Sequence, residues 1–439
     1  MLFCDTIPQN YIEEKMKKSL LISAIASNQG KTVLTTALLY YFKKSVRPFK
    51  VGPDYIDPQF HEVICKTPSI NLDTFIMNEE QVRWMYNQYS NKDISIFEGV
   101  MGFYDGNDKG CSAYSVSKLL NIPTVLLLDG SGSYITISAV LKGMKTYKED
   151  NTIKAVVLNK LSSAMHYALI KNQIEKDFDD VVVLGYIGKN LPTLGSTHLG
   201  LDLKDANEEV LAQLSEEVLE HIDMEKLLEV SCSLDSSMQK QPYPFEKIER
   251  VNKKVAVVKD DNFSFLYQDN IEVLKEMFEE VVFISSIKNE TVPKDCHAVF
   301  IPGGYVETQN AYDKIKDSNE FKDSLLKHSL EKHVYAECAG LLYLSNGVDS
   351  KSMSGILDLD FELKEKRSRL GYYYANNDTK GHSFHYTKPL EAPDGLHLLS
   401  KKIDGKSEFG SWKTRNVMGT YLHTMFRNNL QLVKEYFGI

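Results

Sequence analysis

The chain has 439 residues, of which 43% are hydrophobic and 25% charged. This length exceeds what one core usually spans, and the composition excludes collagen-like, low-complexity and largely disordered proteins, so two domains of about 200 residues each are expected. The net charge of -9, spread along the chain, argues against nucleic acid as a partner, and six cysteines without metal-ligand spacing fit a reduced, cytoplasmic protein. No apolar run approaches the roughly 18 residues of a membrane span. Residues 1–18 carry acidic groups without the apolar core of a signal peptide, and no export is expected.

The run Ser19–Ile25 predicts a buried parallel strand. Ala26-Ser27-Asn28-Gln29-Gly30-Lys31-Thr32 comes after it and leads into the helix-like stretch VLTTALLYYFKK. Strand, glycine turn and helix in that order give a phosphate loop. Backbone N–H groups at the helix start hold phosphates, Lys31 reaches the outer ones, and the Thr32 hydroxyl can ligate Mg²⁺. Gly30-Lys31-Thr32 alone also reads as a capped helix start, and Ile25 stands where GxxxxGK[ST] expects its first glycine.

Next in order, Phe49–Pro58 places Asp54 and Asp57 in a loop punctuated by glycine and proline, where carboxylates rarely serve packing. The apolar run Ile94–Phe97 ends in Glu98, with Asp105 in the loop beyond. A carboxylate at the C-terminal end of a parallel strand sits where α/β sheets bind ligands, within reach of a phosphate-bound Mg²⁺. The plainer alternative is that all four are solvated loop acids. Further strands are expected at Thr124–Asp129, Lys154–Asn159 and Val181–Leu184, alternating with helical stretches as in a parallel α/β sheet.

An acidic helical stretch and then a polar one separate this series from a second α/β series with strands at Lys254–Val258, Val281–Ile284, Ala298–Pro302 and His333–Ala336. The expected organisation is an extension over 1–18, a first domain over 19–235, a linker over 236–253 and a second domain over 254–439. Cys338 falls between a strand and a helix. The helix N-terminus can lend it thiolate character, and the turn exposes its sulfur like a nucleophile elbow. Backbone N–H groups near Gly304 and Ala339 could form an oxyanion hole. The remaining cysteines, Cys4, Cys65, Cys111, Cys232 and Cys296, read as small buried hydrophobes. A base for Cys338 must come from elsewhere in the sequence, with His423, His382 and His385 as the candidates.

The stretches KVGPDYIDPQFH (50–61), NLD (71–73), EGVMGFYDG (98–106), IPGGYVE (301–307) and YAECAGLLYL (335–344) resemble the cobyrinate a,c-diamide synthase family. The resemblance runs from about residue 19 to the C-terminus. It implies a domain similar to dethiobiotin synthetase, within the P-loop group, followed by a class I glutamine amidotransferase domain. It further implies that ATP phosphorylates a corrin acetate and that ammonia from glutamine displaces the phosphate, once at the a and once at the c position. By the same resemblance Gly30, Lys31 and Thr32 hold phosphates and Asn159 contacts adenine. Thr32, Asp54 and Glu98 serve Mg²⁺, while Asp57 and Asp105 serve ATP or substrate activation. Cys338 and His423 form the glutaminase dyad. Two departures stand out: Ser383 replaces the glutamate of a GHEFHY-like motif, and Thr424-Met425-Phe426 after His423 lacks the acid of an HxE motif. The partners implied are a corrin, glutamine and ATP, and a homodimer is compatible with the resemblance. Hydrogenobyrinate or nickel-sirohydrochlorin as acceptor, and a nucleotide-driven switch or scaffold, remain the alternatives.

Overall fold

The apolar runs do become strands, and two separate sheets gather them. The computed structural model describes residues 18–191, 207–233, 241–375, 379–391, 394–401 and 405–439. Cys4 and most of the N-terminal extension lie outside the described residues, as do residues 236–240 of the expected linker. The chain divides into two compact units, Met1–Pro244 and Phe245–Ile439.

The first unit alternates strands and helices: β1 (Lys18–Ala24), α1 (Lys31–Phe42), β2 (Val46–Val51), α2 (Ile56–Cys65), β3 (Ile70–Leu72), α3 (Glu79–Tyr89) and β4 (Ile94–Glu98). It continues with α4 (Ala113–Leu120), β5 (Thr124–Asp129), α5 (Ile135–Tyr147), β6 (Ile153–Leu161), α6 (Ala164–Asp177), β7 (Val182–Gly188), α7 (Glu208–Leu219), α8 (Met224–Val230) and β8 (Cys232–Ser233). The sheet order is β3-β2-β4-β1-β5-β6-β7, with parallel neighbours throughout. Crossover helices cover both faces of such a sheet, so its strands need apolar residues on both sides. Leu20, Ile22, Val125, Leu127, Val157 and Phe97 are accordingly buried. Short β8 returns antiparallel to β1, with Lys18 opposite Ser233. Helix starts are fixed locally: Asn78 and Gln81 form a reciprocal capping box at α3, and Ser112 with Ser115 forms another at α4.

The second unit opens with β9 (Val251–Val258), α9 (Gln268–Met277), β10 (Phe278–Ile284), β11 (Cys296–Ile301), α10 (Gln309–Ile315), α11 (Asn319–Ser329), β12 (His333–Glu337) and α12 (Ala339–Leu344). A small sheet comes next, from β13 (Gly347–Val348), β14 (Lys351–Ser352), β15 (Asp360–Leu363) and β18 (Thr387–Pro389). The main sheet is completed by β16 (Arg369–Ala375), β17 (Thr379–His385), β19 (His397–Lys401), β20 (Ser407–Thr414), β21 (Val417–Thr420) and β22 (His423–Thr424), and α13 (Leu430–Phe437) packs on it. Its order is β10-β9-β11-β12-β21-β20-β19-β16-β17-β22, parallel as far as β21 and antiparallel beyond. Side chains alternate across a strand. Ala256, Val299, Ile301, Val334 and Ala336 therefore join one core cluster, while Val255, Val257, Ala298, Phe300 and Tyr335 join another on the opposite face.

Candidate active sites

In the first unit, β1 ends at Ala24 and α1 begins at Lys31, so the intervening turn forms the phosphate loop. Gly30 has φ 93° and lies so close to β6 that a Cβ would stand 2.4 Å from Asn159 Nδ2. Asn28 has φ 61°. Asparagine tolerates that left-handed conformation, so the loop closes without a glycine there. Asn159 donates Nδ2–H to Gln29 O at 2.8 Å, and its Oδ1 accepts from Lys160 N. The residue assigned to adenine thus braces the loop from beneath. Lys31 Nζ donates to Ala26 O at 3.0 Å and to Met101 O at 2.6 Å. Burial lowers the pKa of its ammonium, with Glu98, Asp57 and Asp105 acting against that. Asp105 is held by a turn: its Oδ2 accepts from Gly102 N at 2.7 Å while Phe103 N donates to Ala24 O. This turn delivers the Met101 carbonyl to Lys31.

A buried charge cluster adjoins the loop. Lys50 on β2 and Glu98 on β4 are register partners. Lys50 Nζ lies 3.5 Å from Glu98 Oε1 and 3.2 Å from Asp54 Oδ2, and it also pairs with Asp57. Thr32 Oγ1 donates to Glu98 Oε1 at 2.8 Å, and His61 Nε2 lies 2.8 Å from Glu98 Oε2 with its Nδ1 on Ser69. Asp54 turns Oδ1 to the Ile56 and Asp57 backbone N–H groups, which starts α2. Burial would raise the Glu98 carboxyl, but Lys50, His61 and Thr32 overcome it and hold the group at about 2. Asp57 is instead pushed up to about 7, by burial and by the Glu98 charge. Burial would lower the Lys50 ammonium, and the three carboxylates more than reverse that. Among the described residues no three acidic, histidine or cysteine side chains converge on a metal-sized point. Thr32 and Glu98 nevertheless offer adjacent hard oxygens, a donor set that suits Mg²⁺ when phosphates and water complete the shell.

In the second unit, β12 delivers Cys338 at its end and α12 starts one residue later. Cys338 has φ 47° and ψ -104°, a conformation costing a non-glycine residue about 1–3 kcal/mol. Cys338 N donates to Thr420 O at 2.7 Å, and Gly340 packs so close to β11 that a Cβ would stand 2.3 Å from Ile301 O. The elbow is therefore clamped on both sides. The thiolate expected from the helix terminus is not what this environment favours. Burial raises the Cys338 thiol well above its ordinary range, Glu307 and Glu337 add to this, and the Ala339 N–H opposes it. Cys65, Cys111 and Cys296 are buried thiols outside any disulfide.

His423 is 1% exposed and lies directly over Gly303, where a Cβ would stand 2.2 Å from His423 Cε1. Gly304 approaches Asn262 equally closely, with 2.0 Å between its would-be Cβ and Asn262 O. Cys338 Sγ lies 3.9 Å from Phe384 O. The competing His385 sits beside this point but stacks on Tyr421, with centroids 3.6 Å apart, and commits Nδ1 to Thr387 O. Burial first, then the Arg369 charge, lowers its pKa to about 3. His382 is the register partner of His423 across β17 and β22.

The sequence reading assigned no role to Lys50, His61 or Glu337. A lysine in an otherwise buried strand, and a histidine four residues after Asp57 on one helix face, were signals for the first two. Glu337 showed only its place beside Cys338. Its Oε2 lies 3.6 Å from His423 Nδ1.

Comparison with known proteins bears on both units. Residues 20–200 match the CobQ/CobB/MinD/ParA nucleotide binding domain, and residues 254–431 match the CobB/CobQ-like glutamine amidotransferase domain. Cobyrinate a,c-diamide synthase of Saccharolobus solfataricus is 35% identical, over 94% of this chain and 98% of that protein. The chain belongs to the cobyrinate a,c-diamide synthase family. The proteins of that name from Fusobacterium nucleatum and Caldanaerobacter subterraneus are 34% and 36% identical, covering 96% of this chain and 100% and 97% of theirs. As a member of the cobyrinate a,c-diamide synthase family, the chain is a glutamine-dependent carbon–nitrogen ligase that uses ATP. No helix among its described residues is long and apolar enough to cross a membrane.

Proposed function

We propose that this chain amidates the a and c acetate carboxylates of cobyrinate, with residues 19–235 as the synthetase, 236–253 as the linker and 254–439 as the glutaminase. The observation that carries the reading is the bond from Thr32 of the phosphate loop to Glu98, inside the cluster of Lys50, Asp54 and Asp57. The acceptor is inferred from the relatives' name, at 35% identity over nearly the whole chain.

A carboxylate is a poor electrophile, and phosphorylation gives it a leaving group. Gly30, Lys31 and Thr32 hold the ATP phosphates, with Asn159 beneath the loop at the adenine side. Thr32, Glu98 and Asp54, whose Oδ2 also pairs with Lys50, would hold Mg²⁺, which would offset charge on the transferring phosphoryl group. Asp57 and Asp105 orient the acceptor and the loop. In the second unit His423 takes the Cys338 proton, and the sulfur attacks the glutamine amide carbon. Gly304 and Ala339 N–H groups hold the oxyanion, and His423 returns the proton to the departing ammonia. Water then releases glutamate from the thioester, and ammonia displaces phosphate from the acyl phosphate. The reaction is cytoplasmic and needs neither nucleic acid nor membrane, in keeping with thiols that form no disulfide among the described residues.

Mass spectrometry of products formed with ATP, Mg²⁺ and glutamine tests this reading. Cobyrinate is expected to gain two amides. No amide on cobyrinate, with amides on hydrogenobyrinate or nickel-sirohydrochlorin instead, would overturn the acceptor, and no glutamine-dependent amide on any of the three would overturn the reaction.

A further inference from the structure

Resting on the assignment of Cys338 and His423 as the ammonia-releasing pair, we infer that Glu337 is the positioning residue for His423, supplying from beside the nucleophile the carboxylate that the segment after His423 lacks. Met425 occupies the place two residues beyond His423 where an HxE motif puts its acid, and it is buried. Glu337 and His423 are 2% and 1% exposed, so neither exchanges its partner for bulk water. Oε1 of Glu337 accepts from Tyr335 Oη at 2.9 Å, from Thr424 N at 3.2 Å and from Thr424 Oγ1 at 3.1 Å. Three donors fix the carboxylate on one side and turn Oε2 toward His423 Nδ1, 3.6 Å away. The base beneath it is rigid: Tyr335 is fully buried and stacks with Phe300 and Tyr436.

The chemistry asks for this arrangement. A carboxylate at Nδ1 selects the tautomer with its proton on Nδ1, leaves the Nε2 lone pair free to accept the thiol proton, and stabilises the imidazolium that results. The titratable groups around His423 are Glu337 from β12, His382 from β17 and His385 from the end of β17, with Cys338 assigned to it as proton donor. Of these Glu337 is the acid placed at Nδ1. Glu337 and Cys338 flank one peptide bond, so the strand end that presents the nucleophile also aligns the base.

The test is Glu337→Gln in the full chain. A glutamine side chain can still accept at Oε1, but the nitrogen in place of Oε2 donates to Nδ1 and favours the wrong tautomer. Glutaminase kcat is expected to fall about 100-fold or more with glutamine KM little changed. The acid limb of its pH profile and that of Cys338 alkylation by iodoacetamide should both move down by about one unit, while ammonia-dependent synthesis stays intact. Glu337→Asp keeps the charge and should recover part of kcat and the limb. Thr424→Val removes an Oε1 donor and should leave the limb in place. Wild-type kcat and an unmoved limb in folded Glu337→Gln would overturn the proposal, as would a Thr424→Val variant that shifts the limb as Glu337→Gln does. Should Glu337→Gln fail to fold, a Glu337→Asp enzyme with lowered kcat and an unmoved limb decides for the proposal, and one with wild-type kcat or a shifted limb decides against it. Glutaminase activity surviving in Cys338→Ser would instead sink the underlying pair, an outcome separate from all of these.

Discussion

Lys50 Nζ and Glu98 Oε1 lie 3.5 Å apart on neighbouring parallel strands, with side chains only 2% and 1% exposed. Charges buried this deeply persist because each satisfies the other, and removing one partner strands the remainder. Lys50→Met leaves Glu98, Asp54 and Asp57 without their common cation. It is expected to destabilise the N-terminal unit by about 3–5 kcal/mol, read as a lower urea midpoint. An unchanged midpoint would show that the cluster is solvated and that Lys50 is not its counter-ion.

Glu98→Gln keeps the shape but removes the charge that faces Thr32 and Lys50. Amide synthesis is expected to fall by about 100-fold or more whether glutamine or ammonia supplies nitrogen. Turnover with ammonia at the wild-type rate would refute a metal role for this carboxylate.

On the proposed division of labour, Cys338→Ser touches only the ammonia-making half. Glutamine-dependent synthesis should vanish, and added ammonium salt at high pH should restore synthesis to near the wild-type ammonia-dependent rate. A folded variant that ammonia cannot rescue would show that the two chemistries are not divided as described.

Gly303→Ala puts a methyl 2.2 Å from His423 Cε1, inside any tolerable contact. The imidazole must shift by about 1 Å, which at a catalytic base costs on the order of 100-fold. Glutaminase activity should drop accordingly, with ammonia-dependent synthesis unaffected. Full glutaminase activity in this variant would remove His423 from its place over the turn.

Two histidines of the C-terminal unit are held neutral by burial, His385 down to about 3 and His328 to about 4. The unfolded chain binds protons near 6.5 that the folded chain refuses, so their contribution is complete above that value and is lost as pH falls toward 4 and 3. At pH 5 each should have forfeited on the order of 1–2 kcal/mol. Thermal melts from pH 7 to 5 should show a falling midpoint, less steep in His328→Gln. A flat wild-type profile would contradict this.

The strands readable in the sequence are those buried on both faces. Aliphatic runs such as Thr124–Asp129 announce themselves because almost nothing polar interrupts them. β2 escaped notice because VRPFKV carries Arg47 and Lys50, and only the fold supplies the Pro68 and Asn91 oxygens and the carboxylates that let them be buried. The antiparallel strands β16 and β17 alternate in burial and left no continuous run. The acids at 54, 57 and 98 were legible from their loops, but their convergence on Lys50 depends on strand order. Glu337 was invisible for the same reason: its partner is 86 positions away, and pairing depends on β12 and β22 meeting in space. The burial that raises the Cys338 thiol was not legible because a helix terminus is local and burial is not.

The return of β8 to lie against β1, with Lys18 opposite Ser233, has a modular consequence. The strand Lys18–Ala24 and the short Cys232–Ser233 thus stand side by side, about 5 Å apart as antiparallel partners are. A segment with joined ends can be grafted into a foreign surface loop or circularly permuted without stretching its sheet.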